Sequence, residues 1–219
     1  MKKFAVLVAG GHGARMGNEL PKQFLPLCGK PILLQTLLKF ADEADEILLV
    51  LPASHIDFWN DQQLHFDTHV QHRVVAGGNT RTESVKNALS VLPEQGVVAI
   101  HDAVRPLVSK SLIQAAFATA VQYGSAVPMI EVRESLRIKK GTDTVAVNRE
   151  DYLAVQTPQC FDLSRIKTAY KSLESTYSDD ASVFSAAGNK IKSIKGDPSN
   201  IKITYKEDLL FATAYLQQA

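Results

Sequence analysis

Short apolar runs alternate with amphipathic stretches along the chain. The runs have the length and β-branched content of buried strands, and most stretches between them have the apolar spacing of helices. This alternation is typical of βαβ units and predicts an α/β fold: a Rossmann-like, open, mainly parallel sheet with helices on both faces. The predicted strands cover about residues 3–9, 46–52, 72–76, 96–101 and 125–132.

Three helices have distinct signals in the sequence. The segment 31–41 has a broad apolar face, which predicts a helix packed on the core. Thr80 and Glu83 have the spacing of a capping box, so a helix is expected to begin just after Gly77-Gly78. Thr204 and Glu207 repeat that spacing and predict a final helix.

Residues 133–156 break the alternation of strands and helices. Apolar and polar positions alternate on both sides of a turn that contains Gly141, which predicts a β-hairpin inserted into the domain. A two-stranded ribbon is marginally stable alone, so its apolar positions are expected to pack on a second copy of the chain, as a dimerisation arm. The alternative is a flap that covers its own domain.

Composition narrows the class of protein. The 219 residues, 45% of them hydrophobic, are enough for a single domain over residues 1–219. The near balance of 24 basic and 23 acidic residues argues against a nucleic-acid binder. No apolar run is long enough for a membrane span and no signal peptide is evident, so a cytoplasmic location is expected. Cys28 and Cys160 have no C-x-x-C spacing and are predicted to be small buried hydrophobic residues.

The densest candidate chemistry follows the first strand. Gly10, Gly11 and Gly13 let backbone N–H groups approach an anion closely, and Arg15 and Lys22 place two cations beside it. This pattern predicts a cradle for a nucleoside triphosphate. The alternative is that the glycines serve only a tight turn.

Other glycine-rich loops fit less well. Asn18 and Glu19 follow Gly17 where a P-loop needs lysine and a hydroxyl. Met16 stands where the dinucleotide fingerprint needs its third glycine. A kinase loop is excluded because no H-R-D or D-F-G element follows.

Further polar clusters mostly follow predicted strands. Ligands of open parallel sheets bind beyond the carboxyl ends of the strands, so these clusters are expected to converge on one cleft. Asp102, directly after a predicted strand, is placed to reach Mg²⁺ or a substrate hydroxyl, or else to cap the next turn. The clusters cover residues 77–84, 101–106, 157–159, 178–182 and 200–202.

Two further patterns favour structural roles. His65, His69 and His72 are spaced like one face of a helix, but the residues between them favour irregular or strand-like structure, so no zinc site is expected. Asp179 and Asp180 are interpreted as the start of a helix, with Ser178 facing the site.

Together these motifs resemble the 2-C-methyl-D-erythritol 4-phosphate cytidylyltransferase family over nearly the whole chain. The resemblance implies a homodimer with a Rossmann-like fold that condenses CTP with a polyol phosphate, releasing pyrophosphate, in the non-mevalonate isoprenoid pathway. The matching segments are A-G-G-H-G-A-R-M at 9–16, P-K-Q-F at 21–24, G-G-N-T-R-T-E-S-V at 77–85, H-D-A-V-R-P at 101–106, T-P-Q at 157–159 and N-I-K at 200–202.

The resemblance also implies roles for single residues. The catalytic positions match Arg15, Lys22 and Lys202. The nucleotide-binding positions match Ala9, Gly10, Gly11, Gly13, Gly78, Asn79, Ser84 and Ala103, with Arg81 supporting the loop. The polyol-phosphate positions match Asp102, Arg105 and Ser178, with Ser135 and Arg149 reaching across the dimer interface.

Four positions depart from the usual family pattern: Asn79 replaces a common aspartate, Gly10 a frequent alanine, and Ser135 and Ser178 replace threonines. Each keeps hydrogen-bonding capacity or small size. Ser135 and Thr142 are both hydroxyl candidates in the hairpin.

The reaction itself favours cations over a general base. A phosphate monoester is largely a dianion at neutral pH and already a competent nucleophile. What opposes its attack on CTP is negative charge, which Arg15, Lys22 and a Mg²⁺ ion bound through the triphosphate would offset. Two alternatives stay open: a ribitol 5-phosphate cytidylyltransferase, and a nucleotide-binding module without catalysis.

Overall fold

A computed structural model of the chain describes residues 1–10, 20–66, 70–172 and 177–218. Its β-strands, in chain order, are β1 (Lys3–Val8), β2 (Pro26–Leu27), β3 (Lys30–Pro31), β4 (Glu46–Leu51), β5 (Arg73–Ala76), β6 (Val97–Asp102), β7 (Ser125–Glu131), β8 (Leu136–Lys140), β9 (Asp143–Val147), β10 (Leu153–Val155), β11 (Gln159–Asp162) and β12 (Ser193–Lys195). Its α-helices are α1 (Ile32–Phe40), α2 (Ile56–Gln63), α3 (Arg81–Ser90), α4 (Lys110–Tyr123), α5 (Leu163–Lys171), α6 (Asp180–Ala186) and α7 (Lys206–Gln218).

The main sheet has the strand order β10-β7-β11-β6-β1-β4-β5, and β12 pairs with β7. Strand β1 runs parallel to both β4 and β6, and β4 runs parallel to β5. The predicted α/β fold with a mainly parallel sheet is therefore confirmed. Strand β11 was not predicted; it runs antiparallel between β6 and β7, which makes the sheet mixed.

The core lies on both faces of this sheet. Alternate residues of β1 belong to different clusters: Ala5 and Leu7 pack with residues of α1 and α4, whereas Phe4 and Val6 pack with residues of α3 and α5. A strand covered on both faces needs apolar residues at every position. This explains why β1 reads as a continuous apolar run.

The two predicted capping boxes have different outcomes. Thr80 caps α3, its hydroxyl accepting a hydrogen bond from the Glu83 N–H at 3.1 Å, as expected. The final helix is present, but it begins at Lys206, and the Asp208 carboxylate accepts the N–H groups of Thr204 and Tyr205 at 2.7 and 2.8 Å. The predicted start is therefore displaced by one residue: Asp208 takes the acceptor role predicted for Glu207, and the Thr204 hydroxyl donates to the Lys202 carbonyl at 3.1 Å.

The burial predicted for the two cysteines is half correct. Cys160 is buried in β11, but Cys28 is exposed. Cys28 and Gly29 form the tip of the β2–β3 hairpin, with φ of 50° and 81°. Two successive positive φ angles are typical of a tight hairpin turn, whose tip points away from the core.

Strands β8 and β9 form the predicted hairpin, which we call the arm (residues 133–156). Its turn contains Gly141 in a left-handed conformation at φ 62°. Ile138 and Val145 face each other across the pair and are 47% and 46% exposed. This exposure does not match the alternative of a flap packed on its own domain.

Among the helices of the described residues, none combines the length and apolarity needed to cross a bilayer.

Candidate active site

The ends of four parallel strands bring the predicted loops together. Asp102, the last residue of β6, lies in register with Val8, the last residue of β1. The backbone continues this pairing: the Ala9 N–H donates to the Val50 carbonyl at 2.9 Å, and the Ala103 N–H donates to the Val8 carbonyl at 3.1 Å. The site therefore lies at the carboxyl end of β1. The chain continues from β1 to β4 and β5 on one side and then returns to β6 on the other side, and ligands of open sheets bind where the strand order reverses in this way.

Asp102 is buried at the centre of this edge. Its carboxylate lies 3.1 Å from Lys202 Nζ, 3.4 Å from Arg105 Nε and 3.6 Å from Arg81 Nε. Burial opposes ionisation of Asp102, but Lys202, Arg81 and Arg105 outweigh it and hold its pKa well below the usual range. The group is an anion under all ordinary conditions.

Arg105 connects this carboxylate to the chain beyond it. Its Nη1 donates to the carbonyl of Asn200, two residues before Lys202, at 2.8 Å. Burial lowers the pKa of Arg105, and Asp102 partly offsets that effect. Asn200 in turn donates from Nδ2 to the Thr157 carbonyl at 2.8 Å, so the T-P-Q and N-I-K segments are tied together.

The cleft has two parts that share one wall. Arg81, Asp102 and Lys202 border both parts. The first part is also lined by Ala9, Gly10, Lys22 and Gln23. The second is also lined by Arg105, Thr157, Gln159, Ser178, Asp179 and Ser182.

Lys22 is buried and its orientation is set by backbone. It lies in a short 3₁₀ turn, Lys22–Phe24, and its Nζ donates to the Ile203 carbonyl at 2.9 Å. The neighbouring Gln23 donates from Nε2 to the Ala9 carbonyl at 2.9 Å and so ties this turn to the end of β1. Gly11, Gly13 and Arg15 lie outside the described residues.

The loop before α3 is held by its own side chains. The Ser84 hydroxyl accepts from the Gly78 N–H at 3.1 Å and donates to the Thr80 carbonyl at 2.8 Å. The Glu83 carboxylate accepts the Asn79 N–H at 2.7 Å. A side chain at Gly78 would collide with Glu83, since a Cβ there would lie 2.3 Å from the Glu83 Cβ. Glycine is required for this close approach.

His101 fixes the backbone around Asp102. It is fully buried, and burial lowers the pKa of its imidazole to about 3, so the ring is neutral. Its Nε2 lies 3.2 Å from the Arg105 carbonyl and its Nδ1 lies 3.1 Å from the Thr157 hydroxyl, which itself accepts the Asp102 N–H at 3.1 Å. A neutral ring satisfies this chain when Nε2–H donates to Arg105 and Nδ1 accepts from Thr157.

We expect His101 to make the protein less stable in mild acid. The unfolded histidine takes up a proton below about pH 6.5 and the folded one does not, so stability is complete above that pH and falls toward pH 3. The loss by pH 5 is about 2 kcal/mol. Urea unfolding at pH 7 and pH 5 measures this loss. In His101→Gln, the difference in the free energy of unfolding between the two pH values should be smaller by about 2 kcal/mol. An unchanged difference in that variant would assign the acid sensitivity to other groups.

The remaining predicted substrate residues are spread out. Ser178 borders the second part of the cleft and is exposed. Ser135 and Arg149, both exposed, lie at the arm and not among the residues that line the cleft. Arg149 donates to the Arg133 carbonyl at 2.6 Å and borders a separate pocket with Lys195.

The two neighbouring aspartates have different roles. Asp179 caps α6 as interpreted, its carboxylate accepting the Ser182 N–H at 3.1 Å and the Gln159 amide at 2.9 Å. Asp180 is fully buried and forms two hydrogen bonds with Arg81, a residue 99 positions earlier. Nothing local in the sequence signals this second role, and Gln159 was likewise named only as part of a motif.

Of the three spaced histidines, His72 has a structural role. His72 accepts a hydrogen bond from Trp59 Nε1 at 3.0 Å, and its other ring nitrogen lies 2.6 Å from the Val70 carbonyl. His69 lies outside the described residues. Within the described ranges, no group of three or more His, Cys, Asp or Glu side chains is arranged to hold a metal ion.

Comparison with known proteins identifies a family. The family model described as IspD: 2-C-methyl-D-erythritol 4-phosphate cytidylyltransferase matches residues 4–218. A 2-C-methyl-D-erythritol 4-phosphate cytidylyltransferase of Porphyromonas gingivalis is 45% identical over 217 residues, covering 98% of each chain. One of Bacteroides fragilis is 44% identical over 219 residues, covering 99% of this chain and 100% of the relative.

Solved structures agree with these sequences. The crystal structure of 4-diphosphocytidyl-2C-methyl-D-erythritol synthase from Anaerococcus prevotii matches with a TM-score of 0.82 at 30% identity, covering 99% of this chain and 98% of that one. The 2-C-methyl-D-erythritol 4-phosphate cytidylyltransferase of Thermus thermophilus matches with a TM-score of 0.79 at 30% identity, covering 97% and 98%.

Proposed function

The chain belongs to the 2-C-methyl-D-erythritol 4-phosphate cytidylyltransferase family, and we propose that it transfers the cytidylyl group of CTP to 2-C-methyl-D-erythritol 4-phosphate. The products are 4-diphosphocytidyl-2-C-methyl-D-erythritol and pyrophosphate. The reaction is a step of non-mevalonate isoprenoid biosynthesis.

The two-part cleft is the observation that supports this reaction best. One part is lined by Ala9 and Gly10, where the glycine-rich loop begins, and by Lys22, and the other by Arg105, Thr157 and Ser178. Arg81, Asp102 and Lys202 form the wall between them. A triphosphate on one side and a phosphorylated polyol on the other would meet at that wall, among cations.

The chemistry requires positioning and charge compensation. A phosphate oxygen of the polyol phosphate attacks the α-phosphorus of CTP, and the bond from the α-phosphorus to the bridging oxygen breaks as pyrophosphate leaves. The attacking dianion needs no base, because its second pKa is about 6. Negative charge grows on the oxygens of the α-phosphorus, and fixed ammonium and guanidinium groups stabilise it there.

We assign each site residue to one side of the cleft, either because it borders that side or because it matches a family position with that role. Lys22, Lys202 and Arg15 compensate the charge at the reacting phosphates. The nucleotide side comprises Ala9, Gly10, Gly11, Gly13, Gly78, Asn79, Arg81, Ser84 and Ala103. The acceptor side comprises Asp102, Arg105 and Ser178, with Ser135 and Arg149 supplied by the arm of a second subunit.

Mg²⁺ fits this site only as a partner of the nucleotide. Asp102 already forms ion pairs with Arg81, Arg105 and Lys202, and those cations disfavour a metal ion at its carboxylate. The ion would therefore be held by the CTP phosphates, where it would neutralise the leaving pyrophosphate.

The acceptor is tested by pyrophosphate release with CTP and Mg²⁺, comparing 2-C-methyl-D-erythritol 4-phosphate with ribitol 5-phosphate. We expect strong preference for the former, with Asp102 and the arm as the selective elements. Preference for ribitol 5-phosphate would keep the mechanism and replace the substrate. Release with neither acceptor would contradict the proposed reaction.

The arm supports a homodimer as part of the same proposal. Ile138 and Val145 present exposed apolar side chains on one face of the arm, and a second subunit would bury them. A cytoplasmic location and a single nucleotidyltransferase domain remain predictions from the sequence.

We expect Ile138→Asp to shift the protein toward monomers, because it would place a charge in an apolar interface. Light scattering coupled to size-exclusion chromatography measures the mass. Lys139→Asp, on the opposite face of the same strand, is the matched control and should leave the mass unchanged. Equal masses for wild type and Ile138→Asp would show that this face of the arm does not hold a dimer together.

A further inference from the structure

A buried pair of side chains behind the cleft holds Arg81. The Asp180 carboxylate accepts hydrogen bonds from Arg81 Nη1 at 3.0 Å and Arg81 Nη2 at 2.7 Å. It also accepts the Tyr170 hydroxyl at 2.5 Å. Asp180 is 0% exposed and Tyr170 is 2% exposed, so water cannot replace either partner.

This cluster is not needed to start helix α6. The cap of α6 is Asp179, which accepts the Ser182 N–H, and Asp180 directs its carboxylate to Arg81 and Tyr170 instead. Nor does stability explain it, since a buried ion pair is often no more stable than apolar residues of the same volume. Burial of the Asp180 carboxylate is costly, and the role that remains for it is to orient Arg81.

The protonation states suit a fixed bidentate pair. Burial lowers the pKa of Arg81, but Asp180 and then Asp102 raise it to a net value above normal, so the guanidinium keeps its charge. Burial and the neighbouring Asp180 raise the pKa of Tyr170, so its hydroxyl keeps the proton that it donates.

The pair determines which edge of Arg81 faces the cleft. Because both terminal nitrogens of Arg81 bind Asp180, the plane of the guanidinium is set, and only Nε is directed at Asp102, at 3.6 Å. Without Asp180, the terminal nitrogens would be free to form a closer bidentate pair with Asp102. That pair would compete with Lys202 and Arg105 for the Asp102 oxygens and would change the arrangement of the three cations around them.

We propose that Asp180, held by Tyr170, is a positioning residue that engages both terminal nitrogens of Arg81, so that Arg81 faces Asp102 only through Nε and the acceptor substrate meets a fixed arrangement of charges there. The proposal rests on the proposed function for its substrate. Its structural part, the restraint of Arg81, stands independently of the reaction.

The mildest test is Tyr170→Phe, which removes one hydroxyl and keeps the ring. We expect kcat/KM for 2-C-methyl-D-erythritol 4-phosphate to fall about 5- to 10-fold, the effect of roughly one ordinary hydrogen bond, and KM for CTP to change less than that. Tyr123→Phe, at an exposed tyrosine of α4, is the matched control and should behave as wild type.

A double-mutant cycle separates positioning from stability. Arg81→Lys cannot form the bidentate pair, so adding Tyr170→Phe to it should cause no further loss of kcat/KM, although the melting temperature falls in both backgrounds. An equal further loss in the Arg81→Lys background would overturn the proposal. So would wild-type kinetics for Tyr170→Phe in the wild-type background.

Nitrogen-15 NMR of the Arg81 guanidinium tests the restraint without the reaction. We expect slow rotation of the terminal nitrogens in wild type and faster rotation in Tyr170→Phe and Asp180→Asn. Unchanged rotation in both variants would overturn the proposal. Inactive wild type with intact restraint of Arg81 would instead contradict only the proposed function.

Discussion

Lys22→Ala should lower kcat by about 100- to 1000-fold, the usual cost of removing one fixed donor that stabilises transition-state charge. Lys22 is buried beside the end of β1, and its Nζ is held by the Ile203 carbonyl. An ammonium group fixed in this way needs no reorganisation when charge grows on the α-phosphorus. The measurement is steady-state turnover with saturating CTP and polyol phosphate.

Two comparisons make the result for Lys22 specific. Lys86→Ala removes an exposed lysine of α3 and should leave turnover unchanged. The KM values of Lys22→Ala should change much less than kcat, because the interaction is stronger in the transition state than with bound substrates. Turnover of a folded Lys22→Ala variant within a few-fold of wild type would remove Lys22 from the catalytic set.

Asp102→Asn should lower the free energy of unfolding by about 2–4 kcal/mol. The substitution leaves the partly buried Arg105 and Arg81 with less negative charge beside them, which is the costly way to break an ion pair. The expected loss lies at the lower end for buried pairs because Lys202, the nearest cation, is 42% exposed and can be hydrated. Urea unfolding at pH 7 measures the change.

The pH dependence identifies the charge of Asp102 as the cause. The folded pKa of Asp102 lies below its ordinary value, so its contribution is complete above about pH 4 and is lost as the pH falls further. The difference between wild type and Asp102→Asn should therefore be constant from pH 5 to pH 8 and shrink in stronger acid. Asp42→Asn, at an exposed pair with Lys110, is the control and should leave the free energy of unfolding nearly unchanged, because water screens that pair.

Local patterns predicted the frame of the site. The apolar runs located β1, β4, β5, β6 and β7 to within about two residues. The signal is clearest in β1, β4 and β6, which are buried almost throughout, because strands covered on both faces must be apolar. The capping box at Thr80 placed the start of α3, since its hydrogen bonds join residues that are close in sequence. These signals were enough to predict that the 77–84 and 101–106 segments lie at the same edge of the sheet.

Long-range contacts were beyond such patterns. Strand β11 is four residues long and has no alternation, so only its pairing with β6 and β7 reveals it. The bond between Asp180 and Arg81 joins residues 99 positions apart, and the sequence shows Asp180 only as an acidic residue near a helix start. The start of α7 differs from the predicted pattern by one position, because the carboxylate that accepts the N–H groups before the helix is Asp208 and not Glu207.

The most direct measurement is phosphorus-31 NMR of a reaction of the wild-type protein with CTP, Mg²⁺ and 2-C-methyl-D-erythritol 4-phosphate. We expect the CTP and monoester signals to be replaced by those of a diphosphate diester and pyrophosphate, with one pyrophosphate formed for each CTP consumed. Unchanged CTP, or release of orthophosphate without the diester, would contradict the proposed cytidylyl transfer.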